Sequence, residues 1–184
     1  IVVIWNRAIL AWLKFTCNID FHLEGKENIP SEPCVVLSKH QSQWETFFLQ
    51  TLLYPQATVL KRELLWIPFF GWTFLLLKPI AINRDNPREA LKDIQTKGLQ
   101  RLKENIWVLL FPEGTRLSYG KKSKFAKSGA SLAIAADKPV LPIAHNSGKF
   151  WPAHNFLKYP GTIQIRIGEA IYPKGHTATS LTAA

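Results

Sequence analysis

Short, almost wholly apolar runs alternate along this chain with stretches whose apolar positions recur at helical spacing. The runs are Ile19–Leu23, Cys34–Ser38, Thr58–Leu60, Pro79–Ile82, Ile106–Leu110, Val140–Ala144 and Ile163–Ile167. Continuous apolar strands are those buried on both faces, as in a sheet covered by helices. Pro87–Glu104 predicts the clearest helix. Asn86 stands at its cap, Pro87 in its first turn, and Leu91, Ile94, Leu99 and Leu102 form its stripe. Lys127–Asp137 predicts another, ended before Pro139. This order implies one α/β domain with a mostly parallel or mixed central sheet of about seven strands. No internal repeat or low-complexity linker interrupts it. The proline within Val140–Ala144, Pro142, points to an edge strand or a bulge near a ligand.

Two segments depart from that alternation. In Ile1–Cys17 the residues Ile1, Trp5, Ile9 and Trp12 share one helical face, with Arg7 and Lys14 on another. That is the pattern of a helix lying in a membrane interface, or of an anchor cut off upstream. Residues 1–17 are therefore set apart as an interface helix ahead of a domain over 18–184. Leu64–Leu77 carries no charge and has aromatic residues crowded around Pro68 and Gly71. It is too short to span a bilayer, which takes roughly 18–20 apolar residues, and reads as an interfacial or tunnel-lining segment or a core helix.

Composition narrows the class of partner. Lysine and arginine total 23 against 13 acidic residues, a net charge of +10, and seven tryptophans and eleven phenylalanines accompany them. A basic, aromatic-rich surface favours anionic partners and tilts toward a lipid interface. Nucleic-acid binding has no recognisable motif to support it. Cys17 and Cys34 form neither a zinc spacing nor a disulfide framework. The chain starts at Ile1 and has no methionine, so an upstream segment is expected.

The candidate chemistry sits where strands end. Cys34–Ser38 runs into His40, with Glu45 five residues on at a helix start. A carboxylate accepting from one ring nitrogen leaves the other free to take a proton, although such a pair in a loop is more commonly just surface. Ile106–Leu110 runs into Phe111-Pro112-Glu113-Gly114-Thr115-Arg116. There Gly114 permits close backbone approach and Arg116 offers a planar fork for phosphate oxygens, unless the loop is an ordinary turn. Arg84 follows Ile82 in the same manner, as a second phosphate ligand, a partner of Asp85 or a cap for a nearby helix. One base candidate and two arginines converging from three strand ends outweigh any single motif. No Gly-x-Ser-x-Gly elbow is present, so Ser42 is assigned a turn role. His22, His145, His154 and His176 belong to no ligand-spaced cluster. The run Lys121, Lys122, Lys124 and Lys127 is either a solvated face or a contact for anionic headgroups, coenzyme A phosphates or an acidic carrier protein.

The order His40-Gln41-Ser42-x-x-Glu45, Asn83-Arg84, Phe111-Pro112-Glu113-Gly114-Thr115-Arg116, then Val140-Leu141-Pro142-Ile143 resembles the four blocks of the glycerolipid acyltransferases. Within that family the likeness is strongest to the bacterial 1-acylglycerol-3-phosphate acyltransferases. Gly25–Pro30 is similar to the family's lead-in, and the resemblance runs from about Trp5 to Ile171. One position departs: the family pattern places aspartate where this chain has Glu45.

The resemblance implies a glycerol-3-phosphate acyltransferase-like fold and a reaction. A fatty acyl group moves from coenzyme A or acyl-carrier protein to the sn-2 hydroxyl of lysophosphatidic acid, giving phosphatidic acid. His40 would be the general base and Glu45 its orienting acid. Arg116 and Arg84, with Lys61 as a weaker third, would hold the acceptor phosphate. Gly114 and Thr115 belong to the same binding loop, and Glu113 would bind the glycerol portion or hold Arg116. Backbone N–H groups after His40 are the expected oxyanion donors. An activated thioester requires neither a metal nor a cofactor beyond the acyl donor. The implied location is membrane-associated, on the cytoplasmic face of a bacterial inner membrane. Another lyso-lipid acceptor, or a non-catalytic membrane-lipid-binding relative, are the alternatives.

Overall fold

Side chains alternate across a strand, so Val35 and Val36 enter different cores. Their strand, β2 (Val35–Ser38), lies at the middle of a seven-stranded sheet in the computed structural model, which describes residues 2–67, 71, 77–153 and 155–184. The other strands are β1 (Ile19–Glu24), β3 (Gln56–Lys61), β4 (Ile80–Ile82), β5 (Trp107–Leu110), β6 (Val140–His145) and β7 (Gly161–Ile167). Their order is β1-β7-β6-β2-β5-β3-β4, and every neighbouring pair is parallel except β6 with β7. The mostly parallel α/β sheet expected from the apolar runs is present.

Helices cover both faces. On one side α1 (Val2–Cys17) and α2 (Trp44–Leu52) supply Leu13, Trp44, Phe48 and Leu49, which pack with Val36, Leu109, Leu141 and Ile165. On the other, α3 (Pro87–Lys103), α4 (Ser128–Ala136) and α5 (Ala178–Ala183) supply Ile94, Leu102, Leu132 and Leu181, against Val35, Val108 and Val140. Asn86 caps α3, its side chain accepting the Glu89 N–H at 3.2 Å, as the sequence predicts. The short α5 has no periodicity long enough to read. It is set by a Thr177–Ser180 capping box and one buried residue, Leu181.

One expectation narrows. Pro142 is not on an edge, because β6 lies between β2 and β7. Ile143 pairs with Ile167 and Val140 bridges Ile171, so β6 advances three residues while the facing strand takes four. That extra residue makes a bulge where Pro142 has no N–H to offer, the second of the two readings. In α1, Trp5, Ile9 and Trp12 line one face, as the spacing predicts, with Ile9 half-buried against the core, while Leu13 and Asn6 are buried. Ile4, Trp5, Trp12 and Phe15 are the exposed apolar residues of α1. Buried Asn6 donates through Nδ2 to Gln50 Oε1 at 2.7 Å, fixing α1 to α2. No helix among the described residues is long and apolar enough to cross a membrane. Of Leu64–Leu77, only Leu64–Ile67, Gly71 and Leu77 are described, so the interfacial reading lies outside the described residues.

Candidate active site

β2, β3, β4, β5 and β6 are mutually parallel, so their carboxyl ends open on one edge of the sheet. In such folds that edge is where ligands bind. β2 delivers Lys39 and His40, β4 delivers Arg84, β5 delivers Phe111–Arg116, and β6 delivers His145 and Ser147.

His40 Nδ1 lies 2.9 Å from Glu45 Oε1. Glu45 sits in the first turn of α2, where the helix dipole favours a negative charge, and it is completely buried. Its carboxylate has a full set of donors. Oε1 also accepts the Gln41 N–H at 2.8 Å and the Ser42 N–H at 2.9 Å. Oε2 accepts the hydroxyls of Ser42 at 2.7 Å and Ser147 at 2.9 Å. Burial by itself pushes this carboxyl up. The hydrogen bond from His40, the positive charge that His145 or His40 carries when protonated, and the Ser42 N–H outweigh it and hold it at about 2. An ionised Glu45 keeps the His40 proton on Nδ1 and leaves a lone pair on Nε2, which has no hydrogen-bond partner among the described residues.

The loop after β5 closes around that histidine. The Phe111 ring stacks on the imidazole, centroids 4.0 Å apart and planes 17° apart. Glu113 Oε2 accepts the His40 N–H at 2.8 Å, and the Leu117 N–H donates to the His40 carbonyl at 2.8 Å. Glu113 Oε1 meets Lys39 Nζ at 2.7 Å. Glu113, expected on the glycerol portion or on Arg116, here contacts His40 and Lys39. Its carboxylate is buried on the backbone of His40 and on Lys39, and no contact with Arg116 occurs among the described residues. Of the backbone amides after His40, those of Gln41 and Ser42 donate to Glu45.

The arginines lie around the same loop. Arg84 donates to the Gly114 carbonyl at 2.6 Å, so it braces the loop from β4. Arg116 is half-buried, one residue before the amide that holds His40, and its Nε has no partner among the described residues. Gly114 has φ +71°, a left-handed conformation, and a Cβ there would meet nothing within 4 Å. Thr115 is exposed beside it. Lys61 ends β3, two strands from β2, and faces Glu63 at 3.8 Å. Nothing among the described residues joins it to the histidine cluster.

Ser42 has the turn role assigned to it. Its Oγ accepts the Trp44 N–H at 2.9 Å while donating to Glu45. His145 and Ser147 carry no motif signal in the sequence, yet both are buried, with Ser147 on Glu45. The strand-end argument applied to His40 holds equally for the residues after Ile143.

The sequence profile described as Acyltransferase matches residues 20–146. The chain is 52% identical over 171 residues to the 1-acyl-sn-glycerol-3-phosphate acyltransferase of Pseudomonas aeruginosa, covering 93% of this chain and 66% of that protein. It is 29% identical over 185 residues to the 1-acyl-sn-glycerol-3-phosphate acyltransferase beta of Homo sapiens, covering 97% and 66%. Its fold is similar to the crystal structure of the 1-acyl-sn-glycerophosphate (LPA) acyltransferase of Thermotoga maritima. The TM-score is 0.79 at 25% identity, over 99% of this chain and 74% of that one. The chain thus spans 66% of the length of both curated relatives.

Proposed function

This chain belongs to the acyltransferase family, and from that premise we propose that it acylates the sn-2 hydroxyl of lysophosphatidic acid, giving phosphatidic acid. The observation that carries the reading is the His40 Nδ1–Glu45 Oε1 contact at 2.9 Å, which leaves Nε2 as a proton acceptor.

An alcohol is a weak nucleophile near neutral pH. His40 Nε2 takes the hydroxyl proton as the oxygen attacks the thioester carbonyl of acyl-coenzyme A or acyl-carrier protein. Glu45 stabilises the imidazolium that forms. Collapse of the tetrahedral intermediate makes the ester and expels the thiolate, which takes the proton from His40. Arg116 is the leading phosphate ligand. Arg84, Gly114 and Thr115 shape the loop that presents it, and Lys61 stands at the periphery as a third cation. Glu113 acts from behind, fixing the histidine.

The acceptor and product reside in bilayers. Exposed Trp5, Trp12 and Phe15 of α1, with the net positive charge, support residence at an anionic membrane surface. Residues 1–17 are accordingly read as the interfacial element and 18–184 as the catalytic body. A water-soluble thioester must meet a bilayer-bound acceptor, and the cytoplasmic face of a bacterial inner membrane is the location this reading carries.

The test is turnover of acyl thioester and lysophosphatidate by the purified chain in mixed micelles. His40→Ala is expected to lower kcat by about a hundredfold or more. Turnover unaffected by His40→Ala overturns the assignment of the base. Arg116→Ala is expected to raise KM for the phosphate-bearing acceptor while leaving KM for the thioester unchanged.

A further inference from the structure

Behind Glu45 lies a second imidazole that the acyl-transfer mechanism does not use. His145 Nε2 is 2.9 Å from the Lys39 carbonyl. A carbonyl only accepts, so Nε2 carries the hydrogen. The Ser147 N–H is directed at Nδ1, so Nδ1 is the acceptor, and burial pushes the imidazole down in the same sense. Ser147, completely buried, bridges the two groups: its Oγ lies 2.9 Å from Glu45 Oε2 and 3.0 Å from His145 Nδ1. Its own N–H reaches the same Nδ1 at 3.4 Å. One hydroxyl proton therefore faces two acceptors.

We propose that Ser147, held by His145, is a positioning residue that sets the proton affinity of the His40–Glu45 pair. This rests on the reading of His40 as the base. A carboxylate sharing its lone pairs among fewer donors pulls harder on those that remain. With the Ser147 proton directed to Oε2, Glu45 is fully hydrogen-bonded and holds the imidazolium moderately. Without it the carboxylate binds the imidazolium more tightly, and His40 gives up its proton at a higher pH. Neither residue touches the outer side of His40, so substrate affinity is not their concern. The charged or titratable groups facing this cluster are His40 and Lys39 from the end of β2, Glu45 from α2 and Glu113 from the loop after β5.

The experiment compares wild type with Ser147→Ala, Ser147→Cys and Ser147→Thr. It reads the His40 titration by NMR, with the resonance assigned through His40→Ala, and in parallel the pH dependence of kcat/KM. In Ser147→Ala the His40 titration and the acid limb should both move up by about half a pH unit or more. There kcat at neutral pH should fall several-fold, with both KM values within about twofold of wild type. Ser147→Cys, of similar size but a weak donor, should follow Ala; Ser147→Thr, which keeps the hydroxyl, should restore the profile. A fall in kcat with an unmoved His40 titration in both the Ala and Cys variants overturns the proposal. If wild type shows no turnover and the titration still moves, the coupling stands and the proposed function fails.

Discussion

Glu113 holds His40 by the backbone: its Oε2 accepts the His40 N–H at 2.8 Å, while the ring meets Glu45 at 2.9 Å. A residue of the loop after β5 thus braces the start of the His40 segment. Its other oxygen neutralises Lys39 at 2.7 Å, where a lone ammonium would otherwise stand partly buried.

Glu113→Ala strips both partners at once. It is expected to cost about 2 kcal/mol of stability and to lower kcat, because an unpaired buried N–H lets the His40 backbone shift. Glu113→Gln keeps an acceptor for the N–H and should lose less of both. Denaturant melts and steady-state kinetics check this. A rise in KM for the acceptor, with stability and kcat held, would instead assign Glu113 to substrate.

Acid should unfold this protein in two stages. Glu45 is held at about 2, below its ordinary 4.5, so the unfolded chain binds that proton first as pH falls. Its contribution is whole above about pH 4.5 and drains toward pH 2, a loss of about 3 kcal/mol. His145 lies below its ordinary 6.5 when folded, so its contribution is whole above that value and begins to decline beneath it. Urea unfolding measured between about pH 7.5 and pH 3 reads the slope. Glu45→Gln should flatten only the more acidic part, and an unaltered slope there refutes the assignment.

The aromatic surface around α1 makes a separate prediction. Trp5 and Trp12 line a groove of about 970 Å³ together with Trp151, Phe156 and Leu157. Phe156 is 90% exposed, and Lys158 Nζ stands 4.7 Å from the Trp151 ring centroid, a cation at the rim of an apolar patch. Replacing Trp5 and Trp12 together by alanine should reduce sedimentation with anionic vesicles about tenfold or more, since each large aromatic contributes on the order of 1 kcal/mol when part-inserted. Equal binding by the variant removes α1 from the membrane contact.

How much of this was legible beforehand depends on the range of the interaction. The strands β2, β5 and β6 were readable because a doubly buried strand must be a continuous apolar run, and Asn86 with Pro87 marked α3 through purely local chemistry. The His40–Glu45 pair was readable because five residues separate its members. The roles of Glu113 and Ser147 were not, since their partners lie 73 and 102 residues away and only the sheet order brings them together. Helical spacing gives the neighbours Trp5, Ile9 and Trp12 on α1, but which way that face turns depends on the buried Asn6–Gln50 bond, whose members lie 44 residues apart.

Glu45 itself is the sharpest test of fit, because the family pattern places an aspartate there. The longer side chain reaches forward to His40 Nδ1 and folds back to the Ser42 hydroxyl three residues earlier, while Trp44 beside it is 1% exposed and anchors the helix start. Glu45→Asp withdraws the carboxylate by about one methylene, and the packed first turn of α2 resists following it. Some of the donors from Ser42, Ser147 and His40 must then lose their acceptor. Since about 1 Å of misplacement costs on the order of a hundredfold in rate, kcat should fall by about ten- to a hundredfold, with KM for both substrates little changed. Glu45→Gln, which keeps the reach and loses the charge, should fall further, because a neutral amide does not stabilise the imidazolium. Steady-state kinetics on the three proteins orders them wild type, Asp, Gln. An aspartate variant equal to wild type would mean that the donor shell around this carboxylate does not set its position.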